Sequence, residues 1–158
     1  MPSDLWSFTL DFYARPGVEH ACLELQANGA NVCMVLCGVW LAVHEVPCSA
    51  QRLREVRKLA EPWHDDVVRP LRELRSQWKA AARDDSALGA LRERVKTLEL
   101  DAERQLLTNL QALSEAWPAA DGQDSEDWLS GLAGDAGRNR RSALQVLRAA
   151  AGLTTNQA

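Results

Sequence analysis

A chain of 158 residues, 46% apolar and 25% charged, has the size and mix of one globular domain, or of one domain with a tail. It can bury roughly two-thirds of the surface its unfolded chain exposes, so neither disulfides nor metals are required to hold it together. A net charge of −4 argues against a protein built mainly to coat nucleic acid. The opening Met1-Pro2-Ser3-Asp4 has no basic stretch followed by an apolar run, so no secretory signal is expected. The most apolar stretch, residues 32–43, is uncharged but 12 residues long, short of the roughly 20 needed to span a membrane. Without an export signal, Cys22, Cys33, Cys37 and Cys48 are expected to stay reduced, and the cytoplasm is the expected compartment.

Helical periodicity dominates from the start. Ser3 is placed to cap a first helix carrying Leu5, Phe8 and Phe12, with Trp6, Leu10 and Tyr13 widening its apolar face, and Pro16-Gly17 interrupts it. Val18, Ala21, Cys22 and Leu25 follow the spacing of a second helix, stopped by Asn28-Gly29. Asn31 is an N-cap for the next helix, apolar on every side through Val43 and therefore expected at the centre of the core. Gly38 in its middle costs about 1 kcal/mol of helix propensity, which a close helix–helix crossing would explain.

Pro47 ends that unit, and Ser49 begins a basic amphipathic helix with Leu53, Val56 and Ala60 inward. Glu61-Pro62 reads as a restart, followed by a stripe of Trp63, Val67, Leu71, Leu74 and Trp78. Pro70 inside that stripe predicts a kink, or a break after Arg69. Asp84-Asp85-Ser86 then caps the longest helix, with a stripe of Leu88, Leu91, Val95, Leu98, Ala102, Leu106, Leu110, Leu113 and Trp117 before Pro118. Its length, roughly 45 Å, means that it pairs with the 62–82 helix as an antiparallel hairpin or projects in part. Residues 119–137 carry five acidic and no basic side chains among several glycines, with one apolar patch at Trp128, Leu129 and Leu132. A last helix with Leu144 and Leu147 precedes a polar tail.

The expected architecture is thus an all-α irregular helical bundle with a central buried apolar helix and a long antiparallel hairpin. One domain spans 1–118, a Gly/Asp-rich linker with a short helix spans 119–137, and a terminal helix and tail span 138–158.

Motifs that would name a chemistry are scarce. There is no nucleophile elbow, metalloprotease helix, phosphate loop or dinucleotide fingerprint, so no catalytic residue or cofactor is expected. His64-Asp65-Asp66 places an imidazole beside two carboxylates, but adjacent helical residues do not face one another. Cys33 and Cys37, four apart on one helix face, are weak metal candidates; in an all-apolar helix they read first as small core hydrophobes. Together with Cys22 or Cys48 they define an alternative reading, a thiol-based metal or redox sensor.

The basic tract is the better candidate. Residues 51–79 carry eight basic and five acidic side chains, and Arg72, Arg75 and Lys79 fall within an arc of about 60° on a helix, with Arg69 at its edge. Arginine clusters grip carboxylates and phosphates. Trp128, alone among the six tryptophans, lies in a polar Gly-rich setting and reads as an anchor, either for the protein's own domain or for a partner.

These residues assemble into a resemblance. Leu5-Trp6-x-Phe8 with Tyr13, Pro16-Gly17-Val18 leading to Cys22-Leu23-x-Leu25-Gln26, and Asn31-Val32 with Leu36 and Trp40-Leu41 resemble an uncharacterised group of short proteobacterial conserved hypothetical proteins. Trp63 with Val67-Val68-x-Pro70-Leu71-Arg72-x-Leu74-Arg75 and Lys79 completes the pattern, over residues 5–79. The resemblance implies a bacterial cytosolic helical protein and supplies no activity. The resulting expectation is a non-enzymatic protein–protein interaction or regulatory module, contacting an unknown protein partner, with a homodimer as one option, through Arg69, Arg72, Arg75, Lys79 and Trp128. Nucleic-acid binding through the 51–79 tract is a further alternative and not the favoured one, and no membrane association is expected.

Overall fold

Five helices begin where a short polar side chain accepts from a first-turn N–H. Asp4 accepts from Ser7, Asn31 from Met34, Ser49 from Arg52, Asp85 from Leu88 and Asp127 from Ser130, at 2.7–3.3 Å. The computed structural model describes residues 4–120 and 126–153. Among them the chain is all-α: α1 Leu5–Tyr13, α2 Val18–Ala27, α3 Val32–Val43, α4 Ala50–Trp63, α5 Arg69–Gln77, α6 Ser86–Ser114, α7 Trp128–Asn139 and α8 Arg141–Ala150. The expected cap Ser3 lies outside the described residues, as do residues 121–125 of the linker and 154–158 of the tail; Asp4 caps α1.

The apolar helix α3 sits where its composition puts it, with Val35, Leu36, Cys37, Val39 and Leu41 buried. Its principal neighbour is α7, from the segment expected to be a linker. Gly38 is the reason the two axes come so close: a Cβ there would lie 2.9 Å from Leu132 Cδ1 and 3.4 Å from the Trp128 carbonyl oxygen. The close crossing expected at Gly38 is present, and its partner is Trp128–Leu132.

This corrects the domain reading. Trp128, Leu129, Leu132, Ala133 and Ala136 of α7 and Ala143, Leu144 and Leu147 of α8 belong to the same hydrophobic cluster as Leu5, Phe12 and Val35. Residue 118 therefore does not divide a core from an appendage among the described residues. The glycines at 131, 134 and 137 read as part of a Gly/Asp-rich linker, yet a Cβ at Gly131 would lie 2.7 Å from Leu53 Cδ1 and one at Gly137 2.8 Å from Leu144 Cδ1. Gly134 takes φ 57°, ψ −135°, kinking α7 where a residue with a Cβ would be strained.

The expected restart at Pro62 is also corrected. The helix runs through it from Ala50 to Trp63 and continues as a π-helical turn, His64–Val68, directly into α5. Within that turn the Arg69 N–H reaches back to the His64 carbonyl, and Pro70, which has no N–H to donate, follows at once in the first turn of α5. The wider turn is thus how the chain passes Pro70 without breaking. A short 3₁₀ turn, Ala81–Arg83, then reverses the chain into α6.

The α5–α6 hairpin is an arm only partly sunk in the core. No residue of α5 is fully buried, and the buried residues of α6 run from Glu99 to Ser114. Leu91 and Leu98, assigned to the core-facing stripe, are 47% and 53% exposed. Their stripe is helical but outruns the helices available to cover it. No helix among the described residues is long and apolar enough to cross a membrane.

Candidate functional site

On the side of α3 away from α7 the packing opens. A cavity of about 470 Å³ is walled by α1, α2, the start of α3, the π-helical turn, α5 and α6. Its apolar surface comes from side chains such as Trp6, Leu10, Val32, Leu36, Val68 and Leu107. Into it also come Thr9, Tyr13, Asn31, Cys33, His64, Arg72, Arg75, Glu99 and Glu103. An apolar chamber with a few convergent polar groups is the usual form of a small-molecule site.

Arg72 and Arg75 do not form an open basic surface. Spaced three apart on α5, they face Glu99 and Glu103, spaced four apart on α6. Arg75 grips Glu99 with two bonds, Nε to Oε1 at 2.6 Å and Nη2 to Oε2 at 3.3 Å. Arg72 reaches Glu99 Oε2 at 3.3 Å through Nε and Glu103 Oε1 at 3.2 Å through Nη2. Arg92 ties the hairpin further by donating to the Arg75 carbonyl at 2.9 Å. The network fixes the wall of the cavity.

The two carboxylates are driven in opposite directions. Burial raises the Glu99 carboxyl, but the hydrogen bonds and charges of Arg75 and Arg72 outweigh it and hold Glu99 below the ordinary value. Glu103 is raised, chiefly by burial with Glu99's charge adding, and Arg72 offsets only part. Burial, helped by the Arg72 charge, lowers His64 and favours its neutral ring. Tyr13 is pushed up to about 12, by burial first and then by the charges of Cys22, Glu19 and Glu103.

Among the described residues, two buried side-chain atoms have no hydrogen-bond partner: Thr9 Oγ1 and Asn31 Nδ2. Both residues line the cavity, at 9% and 8% exposure. Asn31 caps α3 through Oδ1, which leaves its amide nitrogen available. Buried polar groups without partners are uncommon in folded proteins.

The other expected site residues are placed differently. Lys79 lies beyond the end of α5, exposed, and does not join Arg72 and Arg75 on the cavity wall. Arg69 is exposed between Asp65 and Glu73, at 3.4 and 3.7 Å. Within the rest of the basic tract, Arg52 donates to the Pro47 carbonyl and lies over the Trp117 ring, and Arg57 donates to the Gly131 carbonyl. Arg54 and Lys58 of the same tract are exposed, as Lys79 is.

Trp128 is corrected as a partner anchor. It is 2% exposed, stacks near Trp117 at 6.0 Å and donates Nε1–H to the Val46 carbonyl at 2.8 Å. Its anchoring is internal.

Cys33 lines the cavity, whereas Cys37 is buried in the core. Burial raises both thiols, Cys37 to about 12, and Cys22 also to about 12, which keeps them protonated and unreactive near neutrality. Among the described residues no group of three or more His, Cys, Asp or Glu is arranged to hold a metal. Asp65 and Asp66 are exposed while His64 turns inward, so the triplet does not converge.

No curated protein and no solved structure matches this chain. A family described as protein of unknown function (DUF2390) matches residues 4–110, a stretch that includes the resemblance read over 5–79 and every residue lining the cavity. The chain belongs to that uncharacterised family.

Proposed function

We propose that this protein is a non-enzymatic binding module that captures a small, partly apolar molecule in the cavity beside α3. One observation carries the reading: an apolar space of about 470 Å³ is lined by Thr9 and Asn31, whose buried Oγ1 and Nδ2 have no partner among the described residues, while Arg72, Arg75, Glu99 and Glu103 on its wall are paired with one another. A ligand carrying a hydrogen-bond acceptor would complete Asn31, and the leucine and valine side chains would cover its apolar part. The protonated thiol of Cys33 and phenol of Tyr13 favour binding over chemistry, since neither is activated as a nucleophile.

The regulatory role expected from the sequence fits the same geometry. The arm that forms one wall also exposes Leu91 and Leu98, and a protein partner contacting the arm would sense whether the wall is braced by ligand. The cytoplasm remains the proposed setting, where the reduced state of Cys22, Cys33 and Cys37 is maintained.

The test is an NMR titration with hexan-1-ol, a neutral probe short enough for the cavity. Saturable shifts at Thr9, Asn31, Cys33 and Leu36 that vanish in Cys33→Trp are expected. Shifts that never saturate, or that persist unchanged in the filled variant, would overturn the assignment.

A further inference from the structure

The head group that suits the cavity follows from which bonding capacity is left over on its walls. Asn31 Oδ1 accepts from the Met34 N–H, which fixes the orientation of the amide and makes its buried, unpartnered atom the nitrogen. An amide nitrogen only donates, so what completes it is an acceptor. Burial keeps the Tyr13 phenol and the Cys33 thiol of the same lining in their protonated, donating forms, and the Thr9 hydroxyl can donate as well. Asn31 also stands at the N-terminus of α3, the positive end of a helix dipole, where the partial negative charge of an oxygen is favoured.

A full charge of either sign is worse placed. Arg72 and Arg75 of the lining are cationic at neutral pH, and both are held by Glu99 and Glu103. An anion would compete with those carboxylates for the same guanidinium groups while meeting Glu19, Glu99 and Glu103 across the same space. An ammonium presents donors only. It would leave Asn31 Nδ2 unpaired and carry its own desolvation cost into a chamber with much apolar wall. An uncharged oxygen escapes both penalties, and a carbonyl brings no proton that would itself need a partner.

We propose that the cavity takes an uncharged carbonyl compound, a ketone or ester on an apolar body, its oxygen accepting from Asn31 Nδ2. This rests on the cavity being a ligand site, as proposed above. Asn31 then serves at both edges of its amide: Oδ1 starts α3 and Nδ2 holds the ligand. The apolar body extends toward Leu36, roughly 7–8 Å further along α3 at 1.5 Å per residue, with Val68 and Leu107 on the facing walls.

The experiment titrates the full chain by NMR at pH 7 with three probes of like size: heptan-2-one, hexanoate and heptylamine. Heptan-2-one should bind at least about tenfold tighter than either ion, the factor expected when a buried polar group is paired instead of stranded. Asn31→Asp keeps a strong N-cap and nearly the same shape but replaces the donor by an acceptor. It should weaken heptan-2-one by at least about tenfold and leave hexan-1-ol within about twofold, because an alcohol can turn its own proton toward the new carboxylate. A merely structural role for Asn31 would move both probes together. Asn31→Ser, which keeps a capping oxygen and withdraws the amide without adding charge, should weaken heptan-2-one by a similar factor and serves should Asn31→Asp not fold.

Hexanoate or heptylamine binding as tightly as heptan-2-one at Thr9, Asn31, Cys33 and Leu36 would overturn the carbonyl assignment while leaving the ligand site standing. Heptan-2-one shifts unchanged by the Asn31 variants would do the same. Shifts that never saturate with any probe, or that survive unchanged in Cys33→Trp, would remove both readings together.

Discussion

The two faces of α3 are made of the same kind of residue and do opposite things. On one, Gly38 lets α7 approach until an added methyl group would press on Leu132. On the other, Val32, Cys33 and Leu36 border a space of about 470 Å³. At about 100° per residue, Gly38 points roughly 120–160° away from those three positions. A helix apolar all round is a statement about absence of water, and both a packed contact and an apolar chamber satisfy it. What separates the faces is their neighbours: the packed one meets Leu132 and Trp128, whereas the open one meets helices that also bring Thr9, Tyr13, Arg72 and Glu103.

The sharpest way to break this contrast is at the packed face. Leu129 is fully buried in α7, and Leu129→Ala should cost about 3 kcal/mol in chemical denaturation. A loss below about 1 kcal/mol would mean that residues 126–153 rest on the core without completing it. Gly38→Val should cost about 2 kcal/mol, because the new side chain collides with Leu132 and the Trp128 carbonyl.

Enlarging a side chain on the opposite face should behave otherwise. Cys33→Leu adds volume toward the cavity and is expected to be neutral or stabilising by up to about 1 kcal/mol. Equal damage from Cys33→Leu and Gly38→Val in the same assay would show that the space is not available to a side chain, and hence not to a ligand.

Two smaller effects concern charge. In a ¹³C-carboxyl titration Glu103 should take up its proton at higher pH than Glu99, because burial raises one while Arg75 and Arg72 hold down the other. The linked stabilities have opposite signs. Glu99, depressed in the folded state, contributes stability above the ordinary carboxylate range that is lost as pH falls through its folded value. Glu103, raised, is least favourable when ionised, and its burden lifts as pH falls through its folded value toward the ordinary one. The reverse order of titration would remove the basis for treating Glu103 as the less compensated of the two carboxylates. Smallest of all, Asp127 is lowered to about 2: its burial raises it, but hydrogen bonds from Arg148 and Ser130 prevail. Asp127→Asn keeps a capping side chain and should cost well under about 1 kcal/mol near neutrality, since the pair with Arg148 is part-exposed. That small difference should disappear between about pH 4 and pH 2 as the wild-type carboxylate protonates.

Much of the fold was legible because the relevant signals are local. Asn31, Ser49 and Asp85 cap the helices their spacing predicts, and Leu53, Val56 and Ala60 turn inward as their periodicity requires. Gly38 announced a crossing but could not name its partner, which lies about ninety residues onward in a segment whose glycines read as a linker. The candidate site was half visible. Arg72 and Arg75 stood out, yet their carboxylate partners lie 24–31 residues away and meet them only through the register of the hairpin. Glu99 and Glu103 interrupt the apolar stripe of α6 and were the available hint. The cavity itself leaves no trace in periodicity, because a void is a property of how elements meet. Thr9 carries no signal in the sequence and Asn31 reads as a cap alone; only the structure shows that its Nδ2 is unused.

The π-helical turn at His64–Val68 also acts as an offset in phase. It adds one residue to the winding, so that α5 reads its faces from a different zero than α4. Were the same residues wound as a regular α-helix, every side chain of α5 would be carried round by about 100°. Arg72 and Arg75 would then leave Glu99, and the wall they brace would lose its rivets together. The spacing between Pro62 and Pro70 is therefore under a length constraint independent of the identity of the residues within it: a one-residue deletion is absorbed by turning the wide turn into a regular one, whereas a one-residue insertion shifts the phase of α5.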